Sequence, residues 1–103
     1  MSAATDLAGL APMHPGELLR EDVLPALGIS KAAFARHLGI SRQTLYALLD
    51  EETPVTPNLA LRLGRLCGNG AVLWLNLQRD YDLRVLEPQM AEDLARIPRL
   101  GTD

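Results

Sequence analysis

Ser41, Arg42, Gln43, Tyr46 and Ala47 fall on one face of the chain if residues 41–49 are helical, because successive residues of an α-helix are turned by about 100°. Their side chains suit the reading of base edges. Arg42 carries a planar fork of donors that matches the O6/N7 edge of guanine, and the Gln43 amide matches the N6/N7 edge of adenine. Ala47 and the Tyr46 ring offer apolar surface to a thymine methyl group. Around them stand residues fit to hold phosphates: Ser30 and Lys31, Thr44, and the pair Thr56 and Asn58, which open a later helix whose first N–H groups are free.

Other chemistries find less support. His14 and His37 are the only histidines and neither has a second ligand at helical spacing, while Cys67 is the single cysteine, so no metal site is expected. Glu21–Asp22 and Asp50–Glu51–Glu52 are carboxylate clusters, but no motif sets an acid opposite a base or nucleophile. "GNG" at 68–70 is too short for a phosphate-binding loop. An enzyme, a cofactor and a small-molecule substrate are therefore not expected.

The elements that must position the reading face follow from punctuation. "HPGELLREDVL" places a proline at the first helical position and predicts a first helix to about Leu24, just before Pro25. Ser30 is an N-cap for a second helix over Lys31–Leu38, and Gly39 suits a left-handed position after it. Ser41 caps a third helix from Arg42 to about Asp50. Thr56 and Pro57 open a fourth, with Leu59, Leu63 and Leu66 as its apolar stripe. A fifth is predicted from about Ala71 to Val85, and Pro88 opens a short last helix through Ala95, before Pro98. Nothing alternates apolar and polar residues long enough for a strand. The expected fold class is all-α: five helices with a short C-terminal helix or tail.

In the second and third helices Phe34, Ala35, Leu38, Leu45 and Leu48 face inward, with Ile40 in the turn. The small Ala35 lets two steeply crossed helices approach, and Gly39 permits the turn. The pair, residues 30–49, resembles the helix-turn-helix of lambda-repressor and Cro-like regulators, in which the third helix enters the major groove.

The totals agree. The chain has 103 residues, enough for one domain, and 48% are hydrophobic, enough for a core. Net charge is −3, yet residues 30–65 sum to +2 and the remainder to −5, so the middle is the relatively basic part. No apolar run reaches bilayer length, and "MSAATDLAGLAPMHP" has neither a basic n-region nor a long apolar h-region. With one cysteine, a cytoplasmic protein without membrane contact is expected.

Three further stretches, "MHPGELLREDVLPALGIS", "VTPNLALRLGRLCG" and "WLNLQRDYDL", together with the helix pair, are similar to HigA-type antitoxins, the VapI or addiction-module antidote group. The likeness runs from about Met13 to Leu86. It implies a homodimer that binds an inverted-repeat operator in double-stranded DNA, represses its own operon, and neutralises a RelE-like toxin of the HigB type that cleaves messenger RNA. One stretch departs from the pattern. The loop after the third helix reads "DEETPVT", where many relatives carry Lys or Arg, and its carboxylates would repel DNA unless they point away.

Charge and the resemblance together direct the basic toxin to Glu17, Glu21 and Asp22 on the first helix, or to the C-terminal part. The fifth helix has more apolar residues than one stripe needs, which suggests self-association through Trp74, Leu77, Tyr81, Leu83 and Leu86; a core role for Trp74 and Leu77 is the lesser alternative, and different faces of the helix can serve both purposes. The expected organisation is a flexible lead-in over 1–13, the helix-turn-helix domain over 14–86, and a tail over 87–103. Two other functions stay open: a stand-alone regulator without a toxin, and a protein-only interaction module.

Overall fold

The structure, a computed structural model, describes residues 12–101. Most of the expected lead-in lies outside the described residues. All regular structure within them is helical. Helix α1 covers residues 15–27 in three parts, Pro15–Leu18, a π turn Leu19–Val23, and Leu24–Leu27. Then follow α2 (Lys31–Leu38), α3 (Arg42–Leu49), α4 (Pro57–Cys67), α5 (Ala71–Gln89) and α6 (Ala91–Ala95).

The starts obey local rules. Ser30, Ser41 and Thr56 each turn a side-chain oxygen onto the third N–H of the following helix, satisfying donors that have no partner within the helix. Two boundaries differ from the sequence expectation, both at prolines. Helix α1 does not stop before Pro25. It widens first, with Leu24 N–H bonding to the Leu19 carbonyl five residues back, and runs on to Leu27 before Gly28 (φ 68) ends it. A proline within a helix collides with the carbonyl four residues earlier, and the wider turn supplies the room. Pro88 closes a helix rather than opening one. It stands in the last turn of α5, which ends within two residues, where Met90 N–H bonds to the carbonyls of Leu86 and Glu87.

The core gathers Leu19 and Leu24 of α1, Phe34, Ala35 and Leu38 of α2, Leu45, Leu48 and Leu49 of α3, and Leu59, Ala60 and Leu63 of α4, with Val55 and Trp74. Helices α4 and α5 pack most extensively. They approach so closely at Gly64 that a Cβ there would collide with the backbone of Gly70 and Ala71. This packing corrects one expectation. Trp74 is no self-association residue: it is 0% exposed within its own chain, and its indole N–H donates to Asn69 Oδ1 at 3.0 Å. Leu77 and Tyr81 are half-buried, Tyr81 edge-on to the His14 ring at 4.9 Å. Leu83 and Leu86 stay exposed, at 59% and 48%.

Candidate nucleic-acid interface

Helix α3 buries Leu45, Leu48 and Leu49 and exposes Ser41, Arg42, Gln43, Thr44 and Tyr46, with Ala47 half-exposed. At about 100° per residue the outward order around the helix is Arg42, Tyr46, Gln43, Ala47, Thr44. Neighbouring elements meet both edges of this strip. On the α2 side Lys31 holds its ammonium 5.8 Å from the centre of the Tyr46 ring, and Arg36 and Ala32 line a shallow hollow with Arg42 and Ile40. On the α4 side a groove of about 450 Å³ is lined by Gln43, Thr44 and Ala47 together with Thr53, Pro54, Thr56 and Asn58. The strip thus brings all ten base-reading and phosphate candidates near α3 or the helix starts beside it, except that Ser30 enters only as the cap before Lys31.

Three of those hydroxyls already have structural duties. Ser30 Oγ accepts from Ala33 N–H at 3.0 Å, Thr56 Oγ1 from Leu59 N–H at 3.3 Å, and Ser41 Oγ from Thr44 N–H at 3.0 Å. Ser41 and Thr44 also share a hydrogen bond of 2.8 Å. Arg42 and Gln43 are the exposed first-turn residues with side chains long enough to project. Arg36, Thr53 and Pro54 border the strip without having been expected there. Their sequence neighbourhoods carry no signal, because only the crossing of α2 and the path of the following loop bring them alongside α3.

The two helices of the pair end in the same backbone motif, built from different residues. After α2, Gly39 (φ 74) sends Ile40 N–H to the Ala35 carbonyl, and Gly39 N–H bonds to Arg36. After α3, Glu51 takes the left-handed position (φ 63), with Glu52 N–H on the Ala47 carbonyl at 2.9 Å and Glu51 N–H on Leu48 at 3.0 Å. Glycine is the usual residue for this position, and a glutamate held there is strained. What holds it is Arg20 of the π turn. Its Nη1 donates to the Leu49 carbonyl at 2.6 Å and lies 3.3 Å from Glu51 Oε2, while its Nε meets Glu21 at 2.8 Å. So Glu51 turns toward α1, leaving Asp50 and Glu52 as the exposed acids of that loop.

Arginine also fastens the end of α2. Arg62 of α4 donates from Nη1 to the Leu38 carbonyl at 2.8 Å and to Gly39 at 3.4 Å, and from Nε to Asn58 Oδ1 at 2.7 Å. The loop between α3 and α4 is pinned from beneath. Gln78 of α5, buried, accepts from Val55 N–H at 2.7 Å and donates to Asp82 at 2.9 Å. His14, also buried, accepts from Gly16 N–H at 2.9 Å through Nδ1 and is hydrogen-bonded to the Thr53 backbone. Burial holds its pKa below the usual histidine value, against the opposing pull of Glu51 and Asp82. Among the described residues no buried side-chain polar atom lacks a partner and no cluster of potential ligands could hold a metal ion.

Of the acids on α1, Glu21 and Asp22 are exposed and Glu17 half-exposed. They lie on the element that meets the C-terminal end of α3, whereas Arg42 and Gln43 stand at its N-terminal end. Among the described residues no helix is long and apolar enough to cross a membrane.

No family model matches the chain, but individual proteins do. It is 40% identical over 91 residues to virulence-associated protein I of Dichelobacter nodosus, covering 88% of this chain and 83% of that protein. Antitoxin HigA-1 of Vibrio cholerae is 33% identical over 72 residues, covering 70% and 68%. Among solved structures, Pseudomonas aeruginosa antitoxin HigA with the higBA promoter superposes with a TM-score of 0.80 at 36% identity, over 86% of this chain and 98% of that one.

Proposed function

Since the chain belongs to the HigA-type antitoxin family of helix-turn-helix proteins, none of whose members above is an enzyme, we propose that it binds operator DNA through α3, represses its own operon, and silences a RelE-like toxin of the HigB type by direct contact. The observation that carries the DNA reading is the strip on α3. Arg42 and Gln43 project from its first turn, and helix starts flank it on the α2 and α4 sides. A helix inserted by its N-terminal end needs base-reading groups there and phosphate-holding groups on either side. The acidic loop does not oppose this in full, because Glu51 is occupied by Arg20. The solved relative holding its promoter gives the reading a precedent.

Two finer assignments go with it. The toxin meets the Glu17, Glu21 and Asp22 face of α1. Helix α3 is 8 residues long, about 12 Å from end to end, and α1 meets its C-terminal end, which leaves the DNA strip at the other end free. Self-association uses Leu83 and Leu86 of α5, extended by the exposed Leu94 and Ile97, and a two-fold dimer reads an inverted repeat. In this organisation 14–86 is the folded domain, and the described residues after it, 87–101, contribute to the dimer.

Binding to the gene's own promoter tests the central reading. Arg42→Ala or Gln43→Ala lowers affinity for the cognate site by about 1–3 kcal/mol, with much less loss on random DNA. Lys31→Ala weakens both alike and makes the salt dependence shallower by about one unit. Unchanged operator binding by both α3 variants, correctly folded, removes α3 as the reading helix.

A further inference from the structure

We infer that Arg62 is a positioning residue for the DNA-facing strip: it turns the Asn58 amide so that its NH2 group faces outward, and at the same time it ties the end of α2 to the start of α4. The inference rests on the DNA reading above and adds to it a residue that itself reads nothing.

A guanidinium has donors only, so an amide that meets Arg62 Nε at 2.7 Å must offer its oxygen. That choice fixes the other end of the amide. Asn58 Nδ2, with two protons, is turned away from Arg62, and no acceptor among the described residues takes it. Asn58 lies in the second position of α4 and lines the groove shared with Gln43 and Thr44. An amide NH2 at a helix start, beside backbone N–H groups, suits a phosphate oxygen.

The other arm of Arg62 decides where this donor stands relative to α3. Nη1 bonds to the Leu38 and Gly39 carbonyls, which close α2 and begin the turn into α3. A side chain on Gly39 would come within 2.8 Å of that same nitrogen, so the turn and the arginine are fitted to each other. One planar group thereby sets the spacing between the phosphate donor on α4 and the reading helix. Lysine keeps the charge but has no fork with which to hold both partners.

The test titrates operator and random DNA at several salt concentrations with wild type, Arg62→Lys, Arg62→Gln, Asn58→Ala, Asn58→Asp, the Arg62→Lys/Asn58→Ala double variant, and Arg42→Ala. Arg62→Lys and Asn58→Ala each weaken both DNAs by the same factor, about three- to tenfold. The double variant binds no more weakly than Asn58→Ala, since the arginine acts through the amide. The salt slope stays that of wild type in Arg62→Lys and in Arg62→Gln. Asn58→Asp keeps the bond to Arg62, and with it the thermal midpoint, yet loses binding. Additive losses in the double variant overturn the inference, because they mean that the effect of Arg62 on DNA binding does not pass through the Asn58 amide. A slope shallower by about one unit in Arg62→Gln overturns it too, by making Arg62 a phosphate ligand. So does full binding by Asn58→Asp, a variant that tests the idea even if Arg62→Lys folds poorly. Arg42→Ala separates the two levels. Loss of operator specificity there with an uncoupled Arg62–Asn58 pair defeats this inference alone, and unchanged operator binding there defeats the DNA reading and the inference with it.

Discussion

The inner end of α3 and the C-terminal limb formed by the last turns of α5 with α6 spend their surfaces in opposite ways. At the inner end Arg20 holds the Leu49 carbonyl and Glu51, His14 caps α1 and meets Tyr81, and Gln78 takes the Val55 N–H. The limb has Leu83, Leu86, Leu94 and Ile97 open to solvent, and every residue from 91 to 101 is exposed. The difference teaches how a small chain divides its labour. On the proposed DNA reading, α3 presents Arg42 and Gln43 from a helix whose inner end is already fastened, which spares ordering entropy on binding. Apolar surface left open on a limb gains its free energy only when something covers it.

If the inner end is as tightly built as the geometry indicates, the largest loss follows from adding one methyl group to it. A Cβ on Gly16 collides with the Leu48 carbonyl. Gly16→Ala is therefore expected to destabilise the protein by about 3 kcal/mol, measured by urea unfolding. A loss under about 0.5 kcal/mol would show that α1 can slide on α3, and the contrast with the limb would weaken.

Acid acts on the same region through His14. Burial holds its folded-state pKa below the ordinary histidine value of 6.5, so between the two values the unfolded chain binds more protons than the folded one. Stability is then complete above about pH 6.5 and declines as pH falls below it. Protonated Nδ1 also cannot accept from Gly16 N–H. In denaturation series from pH 7.5 to 5.5, His14→Asn, which keeps a capping acceptor but does not titrate, has a flatter profile than wild type. Parallel profiles would assign the acid sensitivity to other groups.

The limb gives the smallest effect on the folded monomer. Leu83→Glu and Leu86→Glu change the unfolding free energy by no more than about 0.5 kcal/mol, measured at concentrations where wild type and variants are both monomeric. Sedimentation at tens of micromolar separates them, with wild type dimeric and the variants monomeric. A wild-type monomer under those conditions would count against self-association through the limb.

Much of this was legible beforehand because it is local. Ser30, Ser41 and the pair Thr56–Pro57 announce three helix starts, since a cap bonds to an N–H only three residues on. Leu45 and Leu48 declare the inward side of α3, and Arg42, Gln43 and Tyr46 its outward side, through a period that any helix imposes. Prolines misled twice for a related reason. Their local preference is to break helices, but at Pro25 a π turn makes room, and at Pro88 the break falls one turn later than expected. Trp74 misled differently: an apolar residue on an overfilled helix can face its own chain or another, and sequence offers no way to choose.

The sequence by itself determined the all-α class, the helix pair and the identity of its exposed face, because caps, turn glycines and helical periodicity act over a few residues. Tertiary structure alone decided that Glu51 turns to Arg20, 31 residues away, that Arg62 reaches the end of α2 across 24 residues, and that Trp74 lies inside. Those outcomes depend on where distant elements meet. That meeting is fixed by how the whole core packs, with Gly16 on Leu48 and Gly64 on Ala71, and not by the local preferences of the residues that come together there.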